Sequence, residues 1–316
     1  MNVVVSGATG FIGSHLLPAL LREGHSVKAL IEPGVSDAHL RGVEPFTADI
    51  VSGDGLSTGF SGAEAIVHLA ARNHVLKETS RDPLAAYRRV NVEGTRNVVQ
   101  AASLACARLF VHLSSVKAMG EESESLLDEE SPCVPKTPYG VSKLESEDAV
   151  RVATEKCGMS AVLLRLPMVY GPGNKGNFPR MIRWAERGLP FPLVQPDNLR
   201  SMVYVGNVTA AVIAVLESLR TGKAKRETYI VKDESDYSTR MIYSSICREL
   251  GKVPRFLPLP PALGRFAGAI SEDFRKVTSS FRVSSAKIRE EIGFVPPVSA
   301  EEGIARTVEW YKRSAR

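Results

Sequence analysis

Met1-Asn-Val-Val-Val-Ser-Gly-Ala-Thr-Gly-Phe-Ile-Gly-Ser14 decides the fold. Val3, Val4 and Val5 form a short unbroken apolar run, the pattern of a strand buried on both faces of a parallel sheet. Gly7, Gly10 and Gly13 follow at once, and Phe11 to Leu21 then shows apolar residues at helical spacing. Strand, glycine turn and helix in that order aim backbone N–H groups and a helix N-terminus at an anion, and glycine lets a pyrophosphate approach the backbone. The spacing is G-x-x-G-x-x-G, one residue wider in its first step than the G-x-G-x-x-G fingerprint. The flanking strand and helix supply the context that the glycines alone lack, and a dinucleotide site is expected here.

Further along, the same alternation repeats. Strands are expected at Ser26–Ile31, Glu44–Thr47, Ala65–Leu69, Leu109–Leu113 and Ala161–Leu166, with helices over Tyr87–Ala105 and from Pro138 or Tyr139 to about Lys156. Six strands interleaved with helices imply an α/β fold with a doubly wound parallel sheet and a site at the strands' carboxyl ends. Glu32 stands nineteen residues beyond Gly13. It can accept hydrogen bonds from a ribose and repel a 2′-phosphate, or it can be a solvent-facing glutamate ahead of Pro33-Gly34. From Tyr170 the texture changes to loops and proline-rich pieces, such as 188–196 and 253–261. A helix is expected over Pro179–Arg187, and strands at Met202–Val205 and Thr228–Val231 flank a helix over Val208–Leu219. This part reads as a smaller α+β lobe over the sheet's carboxyl edge.

Composition excludes several classes. Hydrophobic residues at 44% and charged residues at 24% describe an ordinary globular protein. Forty Lys and Arg against thirty-five Asp and Glu give +5, spread along the chain, so no nucleic-acid footprint is expected. Cys106, Cys133, Cys157 and Cys247 lie far apart without metal spacing, which suits reduced cysteines in a cytoplasmic protein and no metal site. No apolar run approaches a membrane span and the chain opens on a strand, so neither a membrane partner nor a signal peptide is expected.

The sharpest chemical signal is Tyr139-Gly-Val-Ser-Lys143 at the start of a helix. Residues four apart share a helix face, so a phenol and an ammonium can act together. A nearby lysine cation, together with a cofactor's nicotinamide charge, would lower the tyrosine from about 10 toward neutrality, where a phenol can exchange a proton with an alcohol or ketone. Ser115, at the end of the fifth strand, would offer its hydroxyl to the same oxygen. The expected catalytic set is Ser115, Tyr139 and Lys143.

With these residues the chain resembles the extended short-chain dehydrogenase/reductases, the group holding NAD-dependent sugar-nucleotide epimerases, dehydratases and reductases. The resemblance runs through Gly7 to Gly13, Asp49-Ile50, His68-Leu-Ala-Ala71, Asn91-Val-Glu-Gly-Thr95, Ser114-Ser115, Tyr139 to Lys143 and Val169-Tyr-Gly-Pro172. It implies a Rossmann domain over 1–169, to which 205–231 returns, a substrate lobe over 170–204 and 232–316, and a homodimer formed through a helix pair. NAD would meet Gly7, Gly10, Phe11, Ile12, Gly13, Glu32, Asp49, Ile50, Leu69, Ala70, Ala71, Asn91, Ser114, Tyr139, Lys143, Pro167 and Val169. NADP stays open, because Ile31 stands where many NAD-dependent members carry Asp. The substrate would be a nucleotide sugar, most readily a UDP-sugar, with Lys117, Asn177, Arg180, Arg200 and Arg282 as its contacts.

The resemblance implies two leading activities that share these catalytic residues. One is a UDP-hexose or UDP-N-acetylhexosamine 4-epimerase, and the other a UDP-4-keto-6-deoxy-sugar reductase of surface-polysaccharide biosynthesis. The family's 4,6-dehydratases carry an acidic pair directly after the catalytic hydroxyl residue, whereas Ser115 is followed by Val116 and Lys117. Reductases of steroid-like ketones are disfavoured by Asn177, Arg180 and Arg200. A non-catalytic dinucleotide sensor need not keep Tyr139 and Lys143 together.

Overall fold

The computed structural model describes residues 1–316 except 38–39, 74–79, 124, 194–197, 224, 259–279 and 315–316. The ends of the two proline-rich stretches, 194–196 and 259–261, therefore lie outside the described residues.

β1 (Asn2–Ser6) leads through the glycine turn into α1 (Phe11–Arg22), and β2 (Ser26–Ile31) and β3 (Glu44–Thr47) follow. After the short α2 (Leu56–Gly59) and β4 (Ala65–His68), α3 (Pro83–Arg88) and α4 (Gly94–Leu104) are joined by one π-turn, Arg89–Glu93. β5 (Leu109–Ser115), β6 (Leu126–Leu127), α5 (Pro138–Cys157) and β7 (Ser160–Leu166) complete the first half. The second half holds β8 (Met168–Tyr170), α6 (Asn177–Glu186), β9 (Phe191–Leu193), β10 (Met202–Tyr204), α7 (Val205–Arg220) and β11 (Glu227–Ile230). Next come α8 (Thr239–Glu249), β12 (Phe256–Pro258) and β13 (Arg282–Val283), then α9 (Ala286–Ile292) and α10 (Ala300–Ser314).

The main sheet is parallel, in the order β11-β7-β5-β4-β1-β2-β3. Seven strands rather than six result because β11 pairs with β7 at the edge. The alternation of strand side chains explains the valine run. Val3 and Val5 pack with Leu16, Leu20, Val208 and Val212 from α1 and α7, and Val4 packs on the other face with Val98, Val99 and Val150 from α4 and α5. Strand order reverses between β1 and β4, which opens the crevice where such sheets bind ligands.

Met202–Tyr204, expected as a strand, does not extend the main sheet. It pairs in parallel with β8, Tyr204 opposite Tyr170. Around this ribbon Phe178, Ile182, Met202, Tyr243, Ile246, Ile304 and Val308 form a second core. One buried carboxylate ties the ribbon together. Asp233 accepts hydrogen bonds from Tyr170 Oη at 2.9 Å, Tyr204 N at 2.9 Å and Asn207 Nδ2 at 2.7 Å. Burial raises its pKa and these bonds act in the other direction.

Candidate active site

The glycine turn is built for close approach. Gly7 has φ +69°, and a Cβ there would sit 2.6 Å from Ala70 N; a Cβ on Gly13 would sit 2.5 Å from Gly7 O. The turn closes with Gly10 N donating to Gly7 O at 3.0 Å. Gly10 is the N-cap of α1 and offers no side-chain cap, and the first turn has no acidic residue, so the N–H groups of Phe11 and Ile12 stay available to an anion.

A directed chain of hydrogen bonds fixes β4 against this turn. Thr95 Oγ1 donates to Asn91 O at 2.6 Å, so it accepts from His68 Nε2 at 2.9 Å, and His68 Nδ1 accepts from Ser6 Oγ at 2.6 Å. Ser6 Oγ in turn accepts from Ala70 N at 3.4 Å, and Leu69 N donates to Ser6 O. Burial, with the Lys143 charge adding to it, holds His68 down to about 3, so the ring is neutral as the chain requires. The sequence singles out His68 only as part of a motif; its role comes from partners 62 and 27 residues away.

Asn91 sits in the π-turn, a distortion frequent at functional sites. Its Oδ1 accepts from Arg72 N at 2.7 Å, and its Nδ2 donates to Arg72 O at 3.1 Å and Ser142 Oγ at 2.9 Å. Asn91 therefore clamps the backbone just after Ala71 and joins it to the helix of Tyr139 and Lys143. The expected single helix over Tyr87–Ala105 is corrected accordingly: it starts at Pro83 and is broken by this turn. The Asp49-Ile50 corner is held by Asp49 Oδ1 accepting from Val51 N and by Asn97 Nδ2 donating to Ile50 O. Glu32 is exposed just past β2.

The start of α5 carries the phenol. Thr137 caps it by accepting from Gly140 N at 3.2 Å, and Pro138 occupies its first turn. Glu121 completes the anchor, accepting from Lys136 N, Thr137 N and Thr137 Oγ1. A Cβ on Gly140 would lie 2.5 Å from Lys117 O, so only glycine lets this helix meet the turn after β5 so closely. Ser115 Oγ donates to Leu166 O at 3.4 Å and accepts from Lys117 N at 3.2 Å, and its hydroxyl acts to lower the pKa of the Tyr139 phenol. The Tyr87 ring meets Tyr139 edge-on at 5.8 Å.

With the protein's own groups alone, Tyr139 is pushed up to about 12, because burial outweighs the neighbouring Ser115 hydroxyl. Lys143 Nζ donates to Leu113 O at 2.8 Å and lies 3.5 Å from His112 Nε2. Burial lowers Lys143 to about 8, with Glu147 acting against the shift. Ser114 is also turned away, its Oγ donating to Glu147 Oε1 at 2.6 Å beneath the sheet, where Arg165 pairs with the same carboxylate at 2.8 Å. Pro167 is buried, and Val169 O accepts from Asn174 Nδ2.

Three of the expected substrate contacts are brought together. Arg200 bridges Tyr237 and Phe281 through its backbone, Arg282 follows directly, and Lys117 Nζ lies 5.5 Å from the Phe281 ring centre. Burial lowers Arg200 to about 10, opposed by the charge of Glu122. Arg282 Nε donates to Asp236 Oδ2 at 2.9 Å, and Lys117 Nζ donates to Glu121 O at 3.0 Å. Asn177 opens α6, two residues earlier than expected, with Arg180 exposed one turn on.

The family model for the NAD dependent epimerase/dehydratase family matches residues 3–231. The chain belongs to this family. A UDP-glucose 4-epimerase of Vibrio cholerae is 28% identical over 98% of this chain and 94% of its own length. A dTDP-glucose 4,6-dehydratase of Streptomyces niveus is 29% identical over 99% and 93%. The crystal structure of the Thermus thermophilus UDP-glucose 4-epimerase complex with NAD superposes with a TM-score of 0.80 at 27% identity, over 99% of each chain. The chain is therefore an NAD-dependent enzyme of the extended short-chain dehydrogenase/reductase type. The tight glycine turn, where a Cβ on Gly7 or Gly13 would meet the chain's own backbone, and the uncapped start of α1 behind it fit that cofactor. Among the described residues no helix is long and apolar enough to cross a membrane.

Proposed function

We propose that the protein is a 4-epimerase of UDP-hexoses or UDP-N-acetylhexosamines that works through a transient 4-keto sugar. The observation that carries this reading is that the Tyr139 phenol lies by Ser115 at the carboxyl end of β5, with Val116 and Lys117, not an acidic pair, directly after Ser115. Val116, the residue after Ser115, is buried and apolar, and the Lys117 ammonium lies on Glu121 O. The carboxylate of Glu121 itself is occupied by the start of α5. NAD bound in the cradle would supply the hydride exchange at C4. Tyr139 would take the C4 hydroxyl proton at its phenol oxygen and return it, and Ser115 would orient that oxygen by donating to it. Asp49, Ile50, Ala70, Ala71 and Asn91 would shape the crevice for the cofactor, and Glu32 its ribose end.

Arg200 would hold the diphosphate, since a partly desolvated guanidinium gains from an anion and can bind it bidentately. Arg200→Ala is expected to weaken UDP binding by about 1.5–3 kcal/mol in calorimetric titration; wild-type affinity in the variant would return Arg200 to a structural role. NAD is expected to bind more tightly than NADP, with Glu32→Ala narrowing the ratio; an unchanged ratio would place Glu32 in solvent. A homodimer through the outer faces of α4 and α5, where Val152 is exposed, belongs to the same reading.

The deciding experiment incubates the protein with UDP-hexoses and UDP-N-acetylhexosamines and follows the C4 configuration by NMR. Interconversion without net NADH change supports the epimerase. Reduction of a UDP-4-keto-6-deoxy sugar with stoichiometric NAD(P)H consumption, and no epimerisation, would replace it by the reductase.

A further inference from the structure

The positive charge of this chain gathers in two stretches that the fold makes neighbours. Residues 175–190 contain Lys175, Arg180, Arg183 and Arg187 against a single acid, Glu186. Residues 240–255 contain Arg240, Arg248, Lys252 and Arg255 against Glu249 alone. All eight basic side chains are exposed. These two stretches carry more than the whole net charge of +5, so the remainder is slightly acidic. The fold brings them side by side. α6 packs on α8, and β9 and β12, which follow the two helices, pair in parallel with Phe191 N donating to Arg255 O at 2.8 Å.

The same edge is apolar at its tip. α6 buries Phe178, Met181, Ile182 and Ala185, which leaves Arg180, Arg183, Trp184 and Arg187 as one outward stripe. Trp184 is 41% exposed, and its Nε1 donates to Pro190 O at 3.0 Å. Leu189, Leu257 and Val253 are exposed next to it, Val253 at 79%. The acid on this stripe is partly engaged, since Glu186 Oε2 accepts from Tyr311 Oη.

We infer that this edge of the second lobe docks the protein on an anionic phospholipid surface. An indole with its N–H already bonded, flanked by aliphatic tips and ringed by arginines, matches the membrane interface, where tryptophan sits at headgroup depth and basic side chains meet anionic lipid. A nucleic acid is the poorer match. Leu189, Val253 and Leu257 cannot stack on bases, and Trp184 is the single exposed aromatic of the set. The dock is peripheral, independent of the sugar chemistry proposed above, and departs from the sequence expectation of no membrane partner.

The test is sedimentation of the full chain with vesicles of phosphatidylglycerol and phosphatidylcholine, against phosphatidylcholine alone, at low and high salt. Binding is expected to the anionic vesicles only, weakening as salt rises, with a blue shift of tryptophan emission that Trp184→Phe removes. The pair Arg183→Glu/Arg187→Glu is expected to lower partitioning about tenfold or more. Lys252→Glu/Arg255→Glu, on the neighbouring loop, repeats the test should the helix variant fail to fold. Arg220→Glu, exposed on α7, should leave partitioning unchanged. Equal binding to phosphatidylcholine alone, no loss in either pair, or a shift that survives Trp184→Phe would overturn the proposal. So would binding to an oligonucleotide in the absence of any vesicle binding.

Discussion

Tyr139→Phe is expected to lower kcat by about 10²–10⁴, the range of a general acid–base contribution, while leaving NAD affinity nearly intact. The variant removes one oxygen and keeps the ring that packs edge-on against Tyr87. The glycine cradle and the Ser6–His68–Thr95 chain that fixes it do not touch the phenol. Stopped-flow or NMR turnover read beside a calorimetric NAD titration separates the two effects. A variant with most of its kcat would remove the phenol from the proton's path. A variant that also loses NAD would make it a packing group. Burial pushes the phenol up to about 12, so proton uptake by its oxygen calls for positive charge beside it, such as the nicotinamide of bound NAD would supply.

The second large effect concerns Lys143. Lys143→Met is expected to abolish turnover and yet stabilise the fold at pH 7. The side chain is 2% exposed, and its pKa falls from 10.5 to about 8 in the folded protein. Between those values the unfolded chain binds the proton and the native one does not, so wild-type stability rises with pH across that window. Below about 8 the burial penalty is fully present, on the order of 1–3 kcal/mol at about 1.4 kcal/mol per unit. Methionine fills a similar volume without the charge. Denaturant titrations at pH 7 and pH 10 should show the variant ahead at pH 7 and the gap closing at pH 10. A variant less stable than wild type at pH 7 would mean that the bond to Leu113 O outweighs desolvation.

What sequence reading reached, and what it missed, follows the range of the interactions. Val3-Val4-Val5 with the three glycines identifies the parallel sheet and its crevice, because a two-sided strand and a turn needing φ above zero are local properties. The four-residue step from Tyr139 to Lys143 places both on one helix, again locally. It does not show where each side chain goes, and the two diverge: the phenol toward Ser115, the ammonium inward to Leu113 O. The π-turn at Asn91 has no composition signal. Glu121 was invisible as the anchor of α5 because it acts across sixteen residues, although Thr137-Pro138 is a readable helix start. The two basic stretches are countable in sequence, but they become one surface only because α6 packs on α8 and β9 pairs with β12. The seventh strand, Glu227–Ile230, is readable as a strand at Thr228–Val231, but its place at the sheet's edge beside β7 comes from pairing across more than sixty residues.

The Asp233 carboxylate has a mechanical meaning. Three of the chain's passages between the main sheet and the second core meet here: after β7 into Tyr170, from Tyr204 into α7, and after β11 into Asp233 itself. Tyr170, Tyr204 with Asn207, and Asp233 meet at one buried point, so every crossing is riveted to the other two. A lobe joined by three crossings locked together cannot swing about a single hinge. Closure over a substrate must come from small sliding of packed elements and from loop movements, the shear type of motion. A sugar that has to turn over before it is reduced would then be contained by segments such as those around Asn177 and Arg200, with the frame beneath them held still.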